Sequence, residues 1–539
     1  MTGLLALAAL ALPAQLPTSA PKLVVVISID QGRADFVDRL SGLYLPAKSG
    51  KTLGGFRWLS EKGVRFTDAH HHHLPTYTGP GHSILTTGSV PALNGIVGNE
   101  WFVRETGKEI YVTQDDSVKT VGGDRDPQSA RNLKVSTVGD ELKMATNGRS
   151  KVVGVAFKDR GSILMAGHAA DEVVWYDYGT GNLVTSTYYA PDGKLPSWAQ
   201  TINDSRAVDA FLGKSWTPTL PESAFINSRN APHEKGPKMF SHPYGTQKNT
   251  AYFSNVVRSG GGQEFIFDVA EKAIEANKLG QHDVPDMFVL NLATNDYVGH
   301  AWGPYSPEST EVWAVTDRRL SRLFNKLDKW VPGGIDNVAI VVSADHGVAP
   351  IPGEAADVYH MESSRSGNVT AAIESSLDKK YGDVKWVLYG GHSVYLNRAE
   401  IAAKGLKAEE VEQTAADAAM TVKGVHSAFT RTSIMQGRLP KAPWSEWITN
   451  GYHPAISGDL MVIDAPGVVG TGSTGTSHGS AWAYDTHIPI LTRWKGQKAQ
   501  KVARRVYTHD IASTLSTLLG IEYPNGNVGA PLYEALPAK

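Results

Sequence analysis

The sequence predicts an α/β protein built on a central, mostly parallel sheet that is covered by helices on both faces. Lys22 to Asp30 is an unbroken run rich in β-branched residues. A strand with one wet face would alternate polar and apolar positions, so this one reads as buried on both sides. Farther along, a strand over Met287 to Ala293, a helix over Ser306 to Val331 and a strand over Val338 to Ser343 make a βαβ unit. That helix is the clearest in the chain, with Ser306 as its N-cap, Pro307 in its first turn, and Leu320, Leu323, Phe324 and Leu327 on one face.

The remaining elements follow in order. Residues 1–20 carry an apolar run from Leu4 to Leu12 and then small residues, too short to span a bilayer and similar to a secretory signal peptide, although no Lys or Arg precedes the run. An exported protein, periplasmic or secreted, is therefore expected. Phe56 to Gly63 reads as a short helix, His82 to Thr87 as another with Thr78 at its N-cap, and Lys151 to Lys158 as a buried strand. The segment from about 165 to 280 is rich in Trp, Tyr, Ser, Asn, Pro and Gly, and is expected to be an inserted cap over the active site, with loops such as 188–200 and 229–238. The catalytic domain is taken as 21–539, and the glycine-rich 470–480 as a loop carrying His478.

Composition narrows the chemistry. A chain of 539 residues, 41% hydrophobic, can bury a large core. Its 52 basic and 54 acidic side chains leave a net charge of -2, which gives no electrostatic reason for a nucleic-acid partner. With no cysteine there are no disulfides, thiolate metal sites or cysteine nucleophile, so any metal falls to His, Asp and Glu. No later stretch is apolar for long enough to cross a membrane.

The chemistry-bearing residues sit in five short strings: VVVISID ending at Asp30, TYTGPGH with Thr78, NLATNDYVGH with Asp296 and His300, VVSADHG with Asp345 and His346, and TGTSHGS with His478. Most of them fall where a strand ends or a helix begins, the usual place for chemistry in α/β enzymes. Asp296 and His300 are one helical turn apart and can reach a single ion. Each pair alone is equally explained by helix capping and a satisfied histidine, but their joint order is far more specific. Three carboxylates and three imidazoles suit two divalent ions such as zinc. A threonine at a helix start lies near free amides that would hold a tetrahedral anion, and a dication would activate its hydroxyl. Thr76 is the competing hydroxyl. The run His70 to His73 points to alternate faces and is not expected to share one ion.

Taken together, TYTGPGH, DYVGH, ADHG and SHG with Asp30 resemble the alkaline phosphatase superfamily, specifically its threonine-nucleophile phosphatases of the PafA and PhoK kind. The resemblance implies an alkaline phosphatase-like three-layer sandwich, Thr78 as nucleophile and two zinc ions per chain. One would be held by Asp30, Thr78, Asp345 and His346, the other by Asp296, His300 and His478. KDRG at 158–161 is similar to the family's Lys-x-Arg signature, which implies that Lys158 and Arg160 bind the phosphoryl oxygens. Asn99 matches its substrate-binding asparagine. A nearly dianionic monoester gains from a lysine and a forked guanidinium together.

The expected function is hydrolysis of small-molecule phosphate monoesters through a phosphothreonine, with broad specificity. A phosphodiesterase or nucleotide pyrophosphatase would share the seven metal ligands but has less charge for Lys158 and Arg160 to meet. A sulfatase would need a Cys or Ser in a C/S-x-P-x-R motif, which is not present here. A non-catalytic metal- or phosphate-binding protein would be expected to lose a ligand or the nucleophile. Calcium or magnesium could occupy further sites, and the oligomeric state stays open with a monomer favoured.

Overall fold

The computed structural model describes residues 16–17, 19–229, 239–361, 367–441, 445–469 and 475–537. The expected signal peptide lies outside them except for a few residues at its end, as do 230–238 and 470–474 of the two expected loops.

Ten strands form the main sheet, in the spatial order Gln500–Tyr507, Val64–His70, Ile490–Arg493, Val338–Ser343, Leu23–Ile29, Asp286–Leu292, Val152–Val155, Glu172–Tyr176, Leu183–Ser186, Thr120–Val121. The five strands from Val338–Ser343 to Glu172–Tyr176 run parallel to one another. Ile490–Arg493 is antiparallel to both of its neighbours, so the sheet is mixed but mostly parallel. The central strand shows why the sequence reads as it does. Val25 and Ile27 enter one core with Phe288 and Leu290, while Val24 and Val26 enter the opposite core with Met287 and Val289. Alternate side chains of a strand leave opposite faces, and here both faces are dry. Helices Gly260–Ala276 and Pro307–Trp330 cover the first face; Thr78–Thr87, Val138–Ala145, Asp159–Ala166 and Asp510–Leu519 cover the second.

Register then positions the chemistry. Ser28 lies beside Asn291 and Ser343, and Ile29 beside Leu292. Asp30, the turn before Asp296 and the Asp345–His346 pair therefore leave the sheet side by side at its carboxyl edge, where open α/β sheets bind ligands.

One expectation is corrected. The segment 165–280 is not a separate cap: it supplies strands Glu172–Tyr176 and Leu183–Ser186 to the main sheet and the 17-residue helix Gly260–Ala276 to the core. Its loop-like composition belongs mainly to the stretch between these elements. The distinct unit lies later. Strands Val387–Tyr389, Ser393–Leu396, Leu460–Asp464 and Val425–Thr430 form a four-stranded antiparallel sheet, and helices Val369–Tyr381 and Ala408–Met420 close a separate, third core around Trp386. It is inserted between the strings carrying His346 and His478. Among the described residues no helix is long and apolar enough to cross a membrane.

Candidate active site

Thr78 opens the helix Thr78–Thr87 as its first residue; the N-cap is Tyr77, whose own side chain makes no capping bond. This corrects the expectation of Thr78 as N-cap and of a helix starting at His82, and it leaves the hydroxyl free of a structural duty. Thr78 Oγ1 lies 3.3 Å from His346 Nε2. Thr76, by contrast, donates its hydroxyl to the Ser480 carbonyl at 2.8 Å. A Cβ on Gly81 would collide with the Asp345 carbonyl, so only glycine lets the helix start seat on the Asp345–His346 turn.

The seven residues expected as metal ligands converge. Asp30, Asp345 and His346 are fully buried and Asp296 is 3% exposed. Asp296 and His300 sit on one helix, Thr294–Trp302, with Oδ1 and Nε2 3.0 Å apart. His478 Nε2 is 3.6 Å from the same oxygen, and the His346 and His478 rings stack with centroids 3.4 Å apart. His346 Nε2 lies 3.2 Å from Asp345 Oδ2 and 3.5 Å from Asp30 Oδ1. Donor atoms of Asp296, His346 and His478 all lie within 4.8 Å of one another, and so do those of Asp30, His82 and Asp345. The residues thus form one continuous cluster, and the split into two ligand sets expected from the family crosses the first of these groupings.

The imidazoles are all oriented in the same way. Nδ1 of His300 donates to the Thr476 carbonyl (2.7 Å), that of His346 to Gly347 (2.9 Å) and that of His478 to Thr76 (2.9 Å). Because a carbonyl only accepts, each ring carries a proton on Nδ1, which leaves Nε2 as the atom facing the carboxylates. At these distances Nε2 meets a carboxylate oxygen either through a proton, as the raised His346 reflects, or through a shared cation. Outer hydrogen bonds of this kind are the way metal-bound histidines are held. Asp30 Oδ1 and Asp345 Oδ2 are buried without a hydrogen-bond partner, which fits further coordination of a dication.

Electrostatics reports the same strain. Burial pushes the Asp30 carboxyl up to about 7, with Asp345 adding to the rise and Lys158 opposing it. Burial also presses on Asp345, but the His346 and His82 rings beside it hold it well below the usual carboxylate range. His346 is raised to about 9, burial being outweighed by Asp345. Burial drives His478 well below its ordinary value, with His346 beside it adding to the effect.

The expected phosphoryl-binding groups border this cluster. Lys158 Nζ is 2.9 Å from Asp30 Oδ2 and 2.6 Å from Asp296 Oδ2, so it already neutralises one carboxylate of each expected ligand set. Arg160 donates to the Tyr111 hydroxyl at 2.7 Å, and its Nε is buried without a partner. Asn99 Oδ1 accepts from the Gly79 amide at 2.7 Å, tying it to the residue after Thr78.

Several supporting residues were given no role by the sequence. Gln31, at φ 64°, donates its side-chain amide to Asp296 at 2.8 Å and its backbone N–H to Asp345 at 3.2 Å. His82 donates to the Thr78 carbonyl at 2.9 Å and accepts from Asn291 at 2.8 Å, so both its nitrogens are used in holding the turn that carries Thr78. Asp485 accepts from the Ser480 amide and hydroxyl, fixing the chain just after His478, and burial pushes its carboxyl up to about 7. In the histidine run, His71 donates to the Ala344 carbonyl at 3.1 Å, directly before the Asp345–His346 pair. His70 stacks on His487 at 4.7 Å and 9°, with both nitrogens engaged by Asp68 and Thr486. Near-parallel rings do not aim two lone pairs at one point, so the Asp68, His70 and His487 grouping reads as structural.

A family model described as type I phosphodiesterase / nucleotide pyrophosphatase matches residues 24–488. A Myroides odoratus protein named calcium-transporting ATPase is 36% identical over 537 residues, covering 96% of this chain and 95% of that one. Alkaline phosphatase PhoV of Synechococcus elongatus is 35% identical over 535 residues, covering 96% and 93%. The crystal structure of wild-type alkaline phosphatase PafA superposes with a TM-score of 0.88 at 33% identity, covering 96% of this chain and 99% of that chain. So does a form of PafA with one threonine changed to serine and an asparagine, a lysine and an arginine changed to alanine, with a TM-score of 0.88.

The shifted groups generate a prediction about stability. Asp30 rises from 3.8 to about 7 on folding and His346 from 6.5 to about 9. Both folded values are raised, so the stability these groups contribute is complete below their unfolded values and is lost as pH rises through about 7 and then about 9. The lowered Asp345 acts only on the acid side of that window. Chelator-treated protein is therefore expected to unfold at lower urea concentration at about pH 9 than at about pH 7, where the lowered His478 no longer takes up a proton on unfolding to any large extent, with an added divalent cation restoring much of the loss. A midpoint that climbs with pH in the chelated protein would contradict this assignment.

Proposed function

The chain belongs to the type I phosphodiesterase / nucleotide pyrophosphatase family and within it is an alkaline phosphatase of the PafA and PhoK kind, and from that premise we propose that it cleaves phosphate monoesters through a phosphothreonine on Thr78 with two zinc ions. The observation carrying this reading is the uncapped Thr78 hydroxyl at a buried helix start, 3.3 Å from an imidazole nitrogen whose partner atom is pinned to a carbonyl. Asp30, Thr78, Asp345 and His346 would hold one ion, and Asp296, His300 and His478 the other. Bound there, the metals would supply Lewis acidity that ionises the hydroxyl and takes up charge on the departing oxygen.

Thr78 Oγ1 attacks phosphorus in line as the bond to the leaving oxygen breaks, and the alcohol departs and gains a proton from solvent. Water then attacks the phosphothreonine from the opposite side, the Oγ1–P bond breaks, and phosphate leaves with the threonine hydroxyl restored. Through both steps the Lys158 ammonium, the Arg160 fork and the Asn99 amide hold the non-bridging oxygens where charge develops. The variant form of PafA is altered at the same four residue types in the same order, which supports carrying these roles to Thr78, Asn99, Lys158 and Arg160. The ATPase name belongs to the Myroides protein. Release of a terminal phosphoryl group would call on the same side chains here.

The apolar leader over residues 4–12 supports the further proposal that the enzyme is exported to the periplasm or beyond. Amino-terminal sequencing of protein recovered from that compartment should begin after the leader; an intact Met1 would refute export by cleavage.

Thr78→Ala is expected to remove nearly all turnover while the six other ligands keep metal bound, and Thr78→Ser to retain much of it. Peptide mapping of acid-quenched enzyme should find phosphate on Thr78; phosphate on Thr76 would overturn the mechanism.

Monoester turnover should exceed diester turnover by several orders of magnitude, because Lys158 and Arg160 meet a charge that a diester lacks. Replacing both by alanine should narrow the gap by slowing the monoester more. Equal rates in the unmodified enzyme would favour the diesterase reading.

A further inference from the structure

Lys158 and Arg160 open onto a cavity of about 520 Å³ that also takes in Arg258, Ser254, Arg125 and Tyr297. That volume falls within the range of sites that enclose small organic ligands, roughly 300 to 1,000 Å³, and is far more than one phosphoryl group fills. The charges on its walls are not equally engaged. Lys158 is held by two carboxylates and Arg160 by the Tyr111 hydroxyl. Asp159, on the same wall, is satisfied by Tyr111 and Thr113 at 2.6 and 3.3 Å.

Arg258 differs. It follows the helix Thr250–Val257 as its C-cap, with Ser254 one turn earlier facing the same cavity. It is half-buried, and its Nε is removed from water without a hydrogen-bond partner. Among the described residues no ion pair or side-chain hydrogen bond of this guanidinium is found. A partly desolvated guanidinium kept for structure is normally matched to a carboxylate, as Arg319 is to Glu264, Asp268 and Glu271 in this same protein. Arg125 adds a second, exposed guanidinium, 5.7 Å from the Tyr178 ring. Besides Asp159, Asp126 is the one acid on these walls, and it is exposed at the rim.

We propose that Arg258, supported by Ser254 and Arg125, forms a second anion subsite that selects phosphate monoesters whose leaving group carries another phosphate. The inference rests on the reading of Lys158 and Arg160 as the groups that hold the reacting phosphoryl. A guanidinium meets phosphate bidentately, and the cavity places that fork on walls it shares with Lys158 and Arg160, beyond the single phosphoryl group those two are read as holding. Arg258 therefore acts on which substrate is held, and its effect belongs mainly in KM.

The test compares kcat/KM for a hexose 1,6-bisphosphate and the matching hexose 6-phosphate, using the full zinc-loaded chain. The unmodified enzyme is expected to favour the bisphosphate. Arg258→Ala should lower that ratio roughly tenfold or more, Arg258→Glu should lower it further, and Arg258→Lys should keep part of it. An active enzyme whose ratio is the same in all four forms overturns the subsite alone. An unmodified enzyme inactive on both sugars and on a simple aryl phosphate overturns the phosphatase reading, and the subsite with it.

Discussion

Three carboxylates held out of water at the carboxyl edge of one sheet are the constraint on which the rest of this structure depends. Coulomb repulsion between Asp30, Asp296 and Asp345 is scarcely screened in such surroundings, and the fold answers it with the buried Lys158 ammonium and with imidazoles turned inward by carbonyl hydrogen bonds. The answer is incomplete in the protein's own atoms. Orphaned oxygens on Asp30 and Asp345, and one carboxyl pushed to neutral range beside another held far below it, describe a group of residues built to share positive charge from outside. A sheet buried on both faces is what makes that arrangement rigid enough to persist.

Much of this was legible in the sequence because the candidate ligands are embedded in strings that also fix local geometry. A β-branched run ending in Asp, or an Asp and a His four residues apart after such a run, states both the residue and where it will point. Thr78 was legible as a reactive candidate but not in its helical position. The chain could not announce that Tyr77 would take the cap, since that depends on Gly81 seating against Asp345, 264 positions away. The props behind these candidate ligands were illegible for the same reason. Gln31, Asn291, Asp485 and His71 meet their partners only after the sheet has formed, and none stands in a periodic pattern or a spacing that marks it.

The expectation of a cap failed on physical grounds as well. Tryptophan, tyrosine, serine and glycine between 165 and 280 reflect loops joining a short parallel strand to a long core helix, and a strand of five residues leaves little periodic trace. The true insertion, around Trp386, went unread because its strands are three to six residues long and partly exposed, so hydrophobic alternation there is faint. Its core is separate from the two that sandwich the main sheet, which leaves the catalytic edge of that sheet to be set by the larger body.

The clasp between the approach to Thr78 and the last imidazole has a consequence for how the enzyme comes into being. Thr76 gives its hydroxyl to Ser480, and His478 gives its Nδ1 proton back to Thr76, joining segments about four hundred positions apart. Contacts that distant close late, after the intervening chain has collapsed, because the entropy of closing so long a loop is recovered only once its neighbours are in place. A growing polypeptide therefore carries Asp30, Thr78 and Lys158 through most of synthesis without a complete centre, and chemistry begins only when the carboxyl-terminal quarter has docked. Activity in this molecule is a property of the finished topology, which makes turnover a sensitive gauge of whether the whole chain has folded.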